Sequence, residues 1–477
     1  MSKNISDFTQ MTIKENLEFL NKLEDPTAKY IIDPLKKQLE ALEYIGLSYL
    51  TLNRVTTTLS GGEAQRLKLI RHLNSSLSDL VYIIDEPSVG LHPEDIAKIN
   101  EILKSLKDKG NTVLIVEHDP DVIKEGDYII DMGPGSGKNG GEITFEGTYN
   151  ELLSSNTSTG NALRNKHNLK ENIREANHFY NIGPVTQNNL NNVKTSIPKH
   201  VLTVLTGVAG SGKSTLVKAG FENNDHTIFI DQKAVQGSNR SNLLTYLGVF
   251  DSVRSFFSKE TGLNKAMFSY NSKGACPNCG GKGYIKTELA FMGDFSQTCE
   301  VCHGKRYKQE VLDATIDGYS IADVLDLTVD EGIIFFDKKN DIKSKLQSVS
   351  KTGLNYMSLG QPLSTLSGGE IQRVKLAQHL DEEIKNSIFI FDEPTTGLHE
   401  SDIPILMECF DDLIDQNNTV ILIEHNLSIM CEADWIIDVG PGPGLDGGKV
   451  QFSGTPKNFI DSSETLTSKH LKRYINQ

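Results

Sequence analysis

The string TLSGGEAQRLKLIRHL occupies Thr58–Leu73, and TLSGGEIQRVKLAQHL occupies Thr365–Leu380, 307 positions further on. The match extends well beyond these words. Gly46–Thr148 aligns with Gly353–Thr455 without a gap: Gly62 to Asp85 and Gly369 to Asp392 are each 23 positions, and Asp85 to His118 and Asp392 to His425 are each 33. A gapless period of about a hundred residues implies two copies of one supersecondary unit, with loops of equal length. The glycine-rich loop GVAGSGKST, Gly207–Thr215, is written only once. It lies upstream of copy two, whereas copy one has 45 residues before it and no such loop among them.

Each copy reads as α/β. VYIIDE (Val81–Glu86) and IFIFDE (Ile388–Glu393) are short apolar runs ending in carboxylates, as buried parallel strands do. NTVLIVEHD and NTVILIEHN form a second strand in each copy, with amphipathic helices expected over Pro93–Leu106 and Asp402–Leu413. The polar stretch 150–180 reads as a linker. Val201–Leu205 is an apolar strand running into the glycine loop, and residues 311–350 read as a helical connector. The expected division is therefore 1–149, the later part of a first domain; 150–180, a linker; and 181–477, a complete second domain with an insert at about 251–310.

GVAGSGKST satisfies G-x-x-x-x-G-K-[ST] in full and follows an apolar strand. Its glycines turn backbone N–H groups inward around phosphates, and the helix beginning near Ser214 adds its positive end. The expected nucleotide ligands are Gly207, Gly210, Ser211, Gly212, Lys213, Ser214 and Thr215, with Ser214 and Asp392 on Mg²⁺. The adjacent carboxylates suit metal and water respectively: Asp392 on the metal shell, Glu393 on the attacking water. His425, at the end of the next strand, is placed to meet a γ-phosphate. GPGSGKNG (Gly133–Gly140) mimics a phosphate loop but is one residue short, and its copy-two counterpart has no lysine, so it reads as a repeat-specific turn. In LSGGE, the serine and paired glycines offer unhindered amides at a helix start, an anion site. Ser60 or Ser367 acting as an ordinary helix cap is the plainer reading.

Composition is that of a globular chain, 38% apolar and 23% charged, with a net charge of −15. Such a balance gives no general attraction to nucleic acid or anionic membrane, so any phosphate backbone must meet a local basic patch. Residues 233–308 hold eleven Lys/Arg against five Asp/Glu. Arg240, Lys282, Lys286, Lys305 and Arg306 are the DNA-contact candidates there, with Arg254, Lys273 and Lys308 beside them. No apolar run approaches the roughly 20 residues that span a bilayer, and the N-terminus carries no signal-peptide core, so a cytoplasmic location is expected. Cys276, Cys279, Cys299 and Cys302 form two Cys-x₂-Cys pairs nineteen residues apart. That spacing suits a structural S₄ zinc site with no open position.

Taken together, the phosphate loop, Gln232 in IDQ, the LSGGE phrase, the strand-DE pair and the histidine resemble ATP-binding cassette ATPases. DEPSVGLHP, DEPTTGLHE, LSGGEAQRLKL, CPNCGGKGY, CEVCHGKRY and DQKAVQGSNRSN look like the UvrA family of the bacterial excinuclease. The resemblance implies two cassettes paired head to tail, each ATP held by one cassette's phosphate loop and the other's signature. Lys213, Gln232, Glu393 and His425 would then act on a nucleotide also met by Ser60, Gly61 and Gly62 of copy one. Asp85, Glu86 and His118 would face Ser367, Gly368 and Gly369 in a second site that has no phosphate loop in this sequence. Also implied are ATP, Mg²⁺ and Zn²⁺ as cofactors, double-stranded DNA as partner, damage recognition in nucleotide excision repair, and no membrane.

The sequence departs from the family's pattern before copy one. The first phosphate loop, the UvrB-binding domain, the insertion domain and an earlier zinc module are not in these 477 residues, which puts UvrB interaction in doubt. A complementary UvrA-like half, a shortened gene product, and a one-site paralog that gates binding with little turnover are three readings of this; a homodimer is the alternative assembly.

Overall fold

The computed structural model describes residues 3–23, 26–59, 61–73, 77–165, 168–233, 241–289, 293–380, 382 and 384–476. They form two compact units: Met1–Pro134 with Glu142–Asp231 and Ile384–Gln477, and Gly135–Gly141 with Gln232–Glu383.

The first unit is built on a six-stranded sheet in the order Lys449–Gly454, Trp435–Gly440, Leu202–Thr206, Thr419–Ile423, Ile388–Asp392, Thr227–Ile230. Every neighbouring pair is parallel except the Lys449–Gly454 edge. Strands covered on both faces are predominantly apolar. Leu202–Thr206 and Thr419–Ile423 are accordingly buried at every position. Leu205, Leu216, Val217, Ile390, Ile421 and Ile437 meet in one core beneath the hairpin Phe179–Gln187/Leu190–Pro198.

Copy one lacks the middle of such a sheet. Among the described residues Val81–Asp85 pairs only with Thr112–Val116, and Ile129–Gly133 only with Glu142–Gly147. In copy two the equivalent strands Thr419–Ile423 and Trp435–Gly440 both flank Leu202–Thr206. Among the described residues no strand fills that slot in copy one. Its apolar side chains are therefore exposed: Val81 62%, Ile83 74%, Leu114 50%, Val116 52%, Ile130 53% and Met132 60%, whereas Ile388, Ile390, Ile421, Ile423, Ile437 and Val439 in copy two are 2% or less. Copy one's own core is helical, with Ile13, Leu17, Leu47, Ile96, Ile99 and Leu103 packed together. The helix Pro93–Asp108 starts cleanly because the His92 side chain caps it, proline occupies its first turn, and Glu94 and Asp95 complement its dipole.

The second unit carries helices Phe250–Thr261, Ile321–Asp326, Val329–Phe335, Asn340–Lys351 and Gly368–Leu380 around one apolar core that includes Phe257, Phe336, Leu346 and Val374. The strands Tyr284–Leu289 and Gly293–Thr298 pair antiparallel beside the cysteines. Two sequence expectations differ from this structure. Residues 150–180 are not a plain linker: Thr148 with Glu151, and Thr157, cap the short helices Tyr149–Leu152 and Ser158–Arg164, because serine- and threonine-rich strings supply caps as readily as turns. The insert also belongs to a larger body than 251–310, since its core reaches helices on either side of it. Among the described residues no helix is long and apolar enough to cross a membrane.

Candidate functional site

The strand Leu202–Thr206 delivers the glycine loop, and Gly207, Gly210 and Gly212 take φ of 128°, 72° and 104°, values that favour glycine. A Cβ at Gly207 would lie 2.0 Å from the Val439 carbonyl oxygen. The loop is pinned from behind: the amides of Gly444 and Gly448 donate to the carbonyls of Gly210 (3.0 Å) and Ser211 (2.9 Å). That is the work of the turn GPGPGLDGG in copy two. GPGSGKNG in copy one is likewise a turn, with a 3₁₀ segment at Gly137–Asn139 and no phosphate-loop geometry.

Lys213 opens the helix Lys213–Phe221, and its Nζ donates to the carbonyls of Gly207 (2.8 Å) and Val208 (3.0 Å). Burial draws its amine down to about 8, while Glu393, Asp392 and Asp438 hold it up. Ser214 Oγ donates to Asp392 Oδ1 at 3.3 Å, so a hydroxyl and a carboxylate stand close enough to share one small hard cation at about 2.1 Å. Glu393 is half-buried, and desolvation raises its carboxyl to about 7, with Asp392 and Glu424 adding to the rise and Lys213 opposing it. A carboxyl poised near neutrality is suited to a general base. Its backbone is left-handed, φ 53°, as is that of Glu86 at 44°; non-glycine residues held there cluster at functional sites. His425 is buried, its Nδ1 has no hydrogen-bond partner among the described residues, and burial with nearby Lys213 keeps the ring neutral. Glycine-lined amides, an ammonium, a hydroxyl–carboxylate pair and an unpaired imidazole nitrogen fit a magnesium-bound polyphosphate.

Both copies meet at this site. A Cβ at Gly90 of copy one would lie 2.7 Å from Glu393 Oε2, and one at Gly397 of copy two 3.4 Å from Glu86 Oε1. A cavity of about 170 Å³ lies between them, lined by Glu86 and His118 from copy one and Glu393 and His425 from copy two. Tyr49 of copy one covers the glycine loop: a Cβ at Gly210 would sit 2.9 Å from its ring. The Tyr49 hydroxyl donates to Glu63, in the signature helix Gly61–Leu73. Ser60 lies outside the described residues; Gly61 and Gly62 start that helix.

Gln232 belongs to the second unit, where a Cβ at Gly368 would be 3.0 Å from its Oε1. Ser367 and Glu370 bond each other's amides in a capping box, so Ser367 does act as a helix cap. Gly368 and Gly369 follow in that helix. In copy one, Asp85 ends its strand and His118 Nε2 lies 3.8 Å from Glu86 Oε1. Sequence reasoning missed Tyr49, Gly90, His92 and Glu424. Glu424 accepts from the amides of Thr395 (3.0 Å), His425 (2.7 Å) and Asn426 (3.1 Å), and Glu117 repeats this with Ser88, His118 and Asp119. A glutamate before the histidine in both copies was the available signal.

In the second unit the sulfurs of Cys276, Cys279, Cys299 and Cys302 lie within 4.8 Å of one another, all buried. The closest pairs are 276–299 at 4.0 Å and 279–302 at 3.7 Å. Sulfurs at the corners of a tetrahedron around zinc, with Zn–S near 2.3 Å, stand about 3.8 Å apart, so the four fit that ion. The Gly283 amide donates to Cys279 Sγ, as expected for a thiolate ligand. Among the DNA candidates, Lys282 and Lys286 are exposed on this module. Lys305 is paired with Asp323 at 2.9 Å, and the Arg306 guanidinium covers the Tyr270 ring at 5.4 Å. Arg240 lies outside the described residues.

A family model described as "ABC transporter" matches residues 190–396. UvrABC system protein A of Clostridium perfringens is 43% identical over 99% of this chain and 55% of its own length, and that of Bacillus subtilis 41% over 99% and 54%. The crystal structure of UvrA2 from Deinococcus radiodurans superposes with a TM-score of 0.93 at 37% identity, covering 99% of this chain and 63% of that one. The chain thus spans about half the length of the curated relatives it matches.

Proposed function

We propose, for a chain that belongs to the UvrA family of ATP-binding cassette proteins, that it hydrolyses ATP at one composite site and binds double-stranded DNA in damage recognition for nucleotide excision repair. The observation that carries this reading is the seating of copy one's Gly90 on Glu393 of copy two, beside a complete phosphate loop. The loop amides and Lys213 would bind the β- and γ-phosphates. Ser214 and Asp392 would hold Mg²⁺, which would supply positive charge against that developing on the phosphates. Glu393 would take the proton of the attacking water, and His425 would meet the γ-phosphate. Gly61 and Gly62, with Ser60, would close the site from copy one. Gln232 keeps the role its family resemblance suggests. Lys282 and Lys286, on the zinc module, would meet DNA phosphates, and the protein would work in the cytoplasm.

The test is ATP turnover by the purified chain with and without duplex DNA, beside Lys213→Ala. Wild type should hydrolyse at least 100-fold faster than the variant, a loss in line with removing a preorganised charge from a dry site. In a gel shift, affinity should weaken steeply with salt. Equal hydrolysis by the two proteins defeats the site assignment. Nucleotide binding with no turnover, even with DNA present, would favour instead a nucleotide-gated binding module or drug-resistance paralog.

We further propose that copy one's half-sheet is completed by a strand–phosphate-loop–helix segment outside residues 1–477, as in a complementary UvrA-like half. Copy two supplies the template: Leu202–Thr206 with its following helix buries the equivalents of every exposed residue named above. Each half-exposed aliphatic side chain forgoes on the order of 1 kcal/mol of burial. Co-expression with such a half should give a one-to-one complex in which amides of Thr112–Val116 and Ile129–Gly133 gain exchange protection. If those amides exchange as fast with the partner as without it, the slot is not its seat. Protection in the chain alone, with a dimeric mass in solution, would assign the slot to a second copy.

A further inference from the structure

His92, two residues beyond Gly90, is buried beside the copy-two site and has no part in the chemistry above. Its Nδ1 accepts from the Glu94 amide at 3.2 Å. A neutral imidazole that accepts at one nitrogen carries its proton on the other, so Nε2–H donates to Thr467 Oγ1 at 3.0 Å. The Thr467 hydroxyl passes the polarity on, donating to Asp438 Oδ1 at 3.4 Å. Asp438 in turn abuts the phosphate loop: a Cβ at Gly207 would lie 3.1 Å from Oδ1. On its other side the His92 ring meets the His425 ring at right angles, 5.9 Å between centroids. Burial draws His92 down to about 3, with His470 and Lys213 adding to the effect. His470, whose ring meets His92 at right angles with 5.7 Å between centroids, is bonded to Glu94 at 3.0 Å.

The same chain of contacts recurs around copy one. His399 Nδ1 accepts from the Ser401 amide at 3.2 Å, and its Nε2 meets Thr159 Oγ1 at 3.1 Å. Thr159 donates to Asp131 at 2.8 Å, and the His399 ring packs at right angles to His118, 6.2 Å away. Each aspartate thus comes from one copy, with its threonine a short way C-terminal to that copy, and each clamped histidine comes from the other copy. Only the copy-two version ends on a phosphate loop among the described residues.

We propose that His92, aligned by Thr467 and Asp438, is a positioning residue for hydrolysis at the copy-two site. It fixes the plane of His425, so that the C-terminal helix Leu466–Ile475 ties the phosphate loop to a loop of the opposite copy. The proposal rests on the ATPase reading above. Thr467→Val removes one hydroxyl at constant shape, and Thr159→Val removes its mirror image. A misplacement well under 1 Å is enough to cost about tenfold in rate. Thr467→Val should therefore lower kcat about tenfold with KM within about twofold. Thr467→Ser should restore the rate, and Thr159→Val should stay within about twofold of wild type although both valine variants lower Tm alike. His92→Asn, which keeps the capping acceptor but loses the Nε2–H, carries the same expectation as Thr467→Val. Wild-type kcat in Thr467→Val, or equal losses in the two valine variants, would reduce the relay to a structural staple. Wild type hydrolysing no faster than Lys213→Ala would instead remove the ATPase reading itself.

Discussion

Glu393→Gln is expected to cut ATP turnover about 10³-fold while nucleotide affinity changes by less than about threefold. Glutamine preserves shape and hydrogen bonds to water but takes no proton. The wild-type rate should also depend on pH with a definite sign. Burial lifts the Glu393 carboxyl to about 7, and the base must be deprotonated. Turnover should then climb with pH through that value and level off above it, and the residual activity of the glutamine variant should lack the rise. A wild-type rate that is flat between about pH 6 and 8 would take the base role from Glu393. The neighbouring Lys213 ammonium opposes the rise, so a variant lacking it should move any remaining limb upward.

Removing the metal should have the largest structural effect. We expect one zinc per chain by elemental analysis, lost in Cys279→Ser. Structural zinc contributes on the order of 10 kcal/mol to small modules, and the four cysteines form their own buried cluster. Chelation should therefore open the hairpin Tyr284–Leu289/Gly293–Thr298, with exchange there rising by orders of magnitude, while Leu202–Thr206 in the other unit stays protected. A metal-free chain whose hairpin amides remain slow would mean that the cysteines are merely packed.

The parts of the site that were legible in the sequence are those written as contiguous strings. GVAGSGKST keeps its glycines within a few residues of its lysine, the spacing with which one loop can wrap one phosphate chain. Cys-x₂-Cys is readable because two sulfurs of one turn can reach one ion. The repeat offset located Glu393 and His425 by comparison with Glu86 and His118. Residues that act across the two copies left no such trace. Nothing near Tyr49 reveals that its ring lies on Gly210, and nothing near Thr467 points to His92, 375 positions away. Such contacts exist only once the copies are assembled. Likewise, the charge count of the cysteine-bearing segment was readable, but not that Lys305 and Arg306 are engaged with Asp323 and Tyr270. The split sheet of copy one was hidden for a further reason: Val81–Asp85 and Ile388–Asp392 are similarly apolar, and what packs against their faces, here the helix Lys213–Phe221 and the hairpin on copy two, decides which is covered.

The crossing of the two glycine turns, Gly90 over Glu393 and Gly397 over Glu86, has a consequence for genetics. Adding even a methyl group at Gly90 would press on a carboxylate more than three hundred positions away in the chain. A lesion and the defect it causes would then fall in different repeats, and a screen scored by phenotype alone would assign blame to the wrong one.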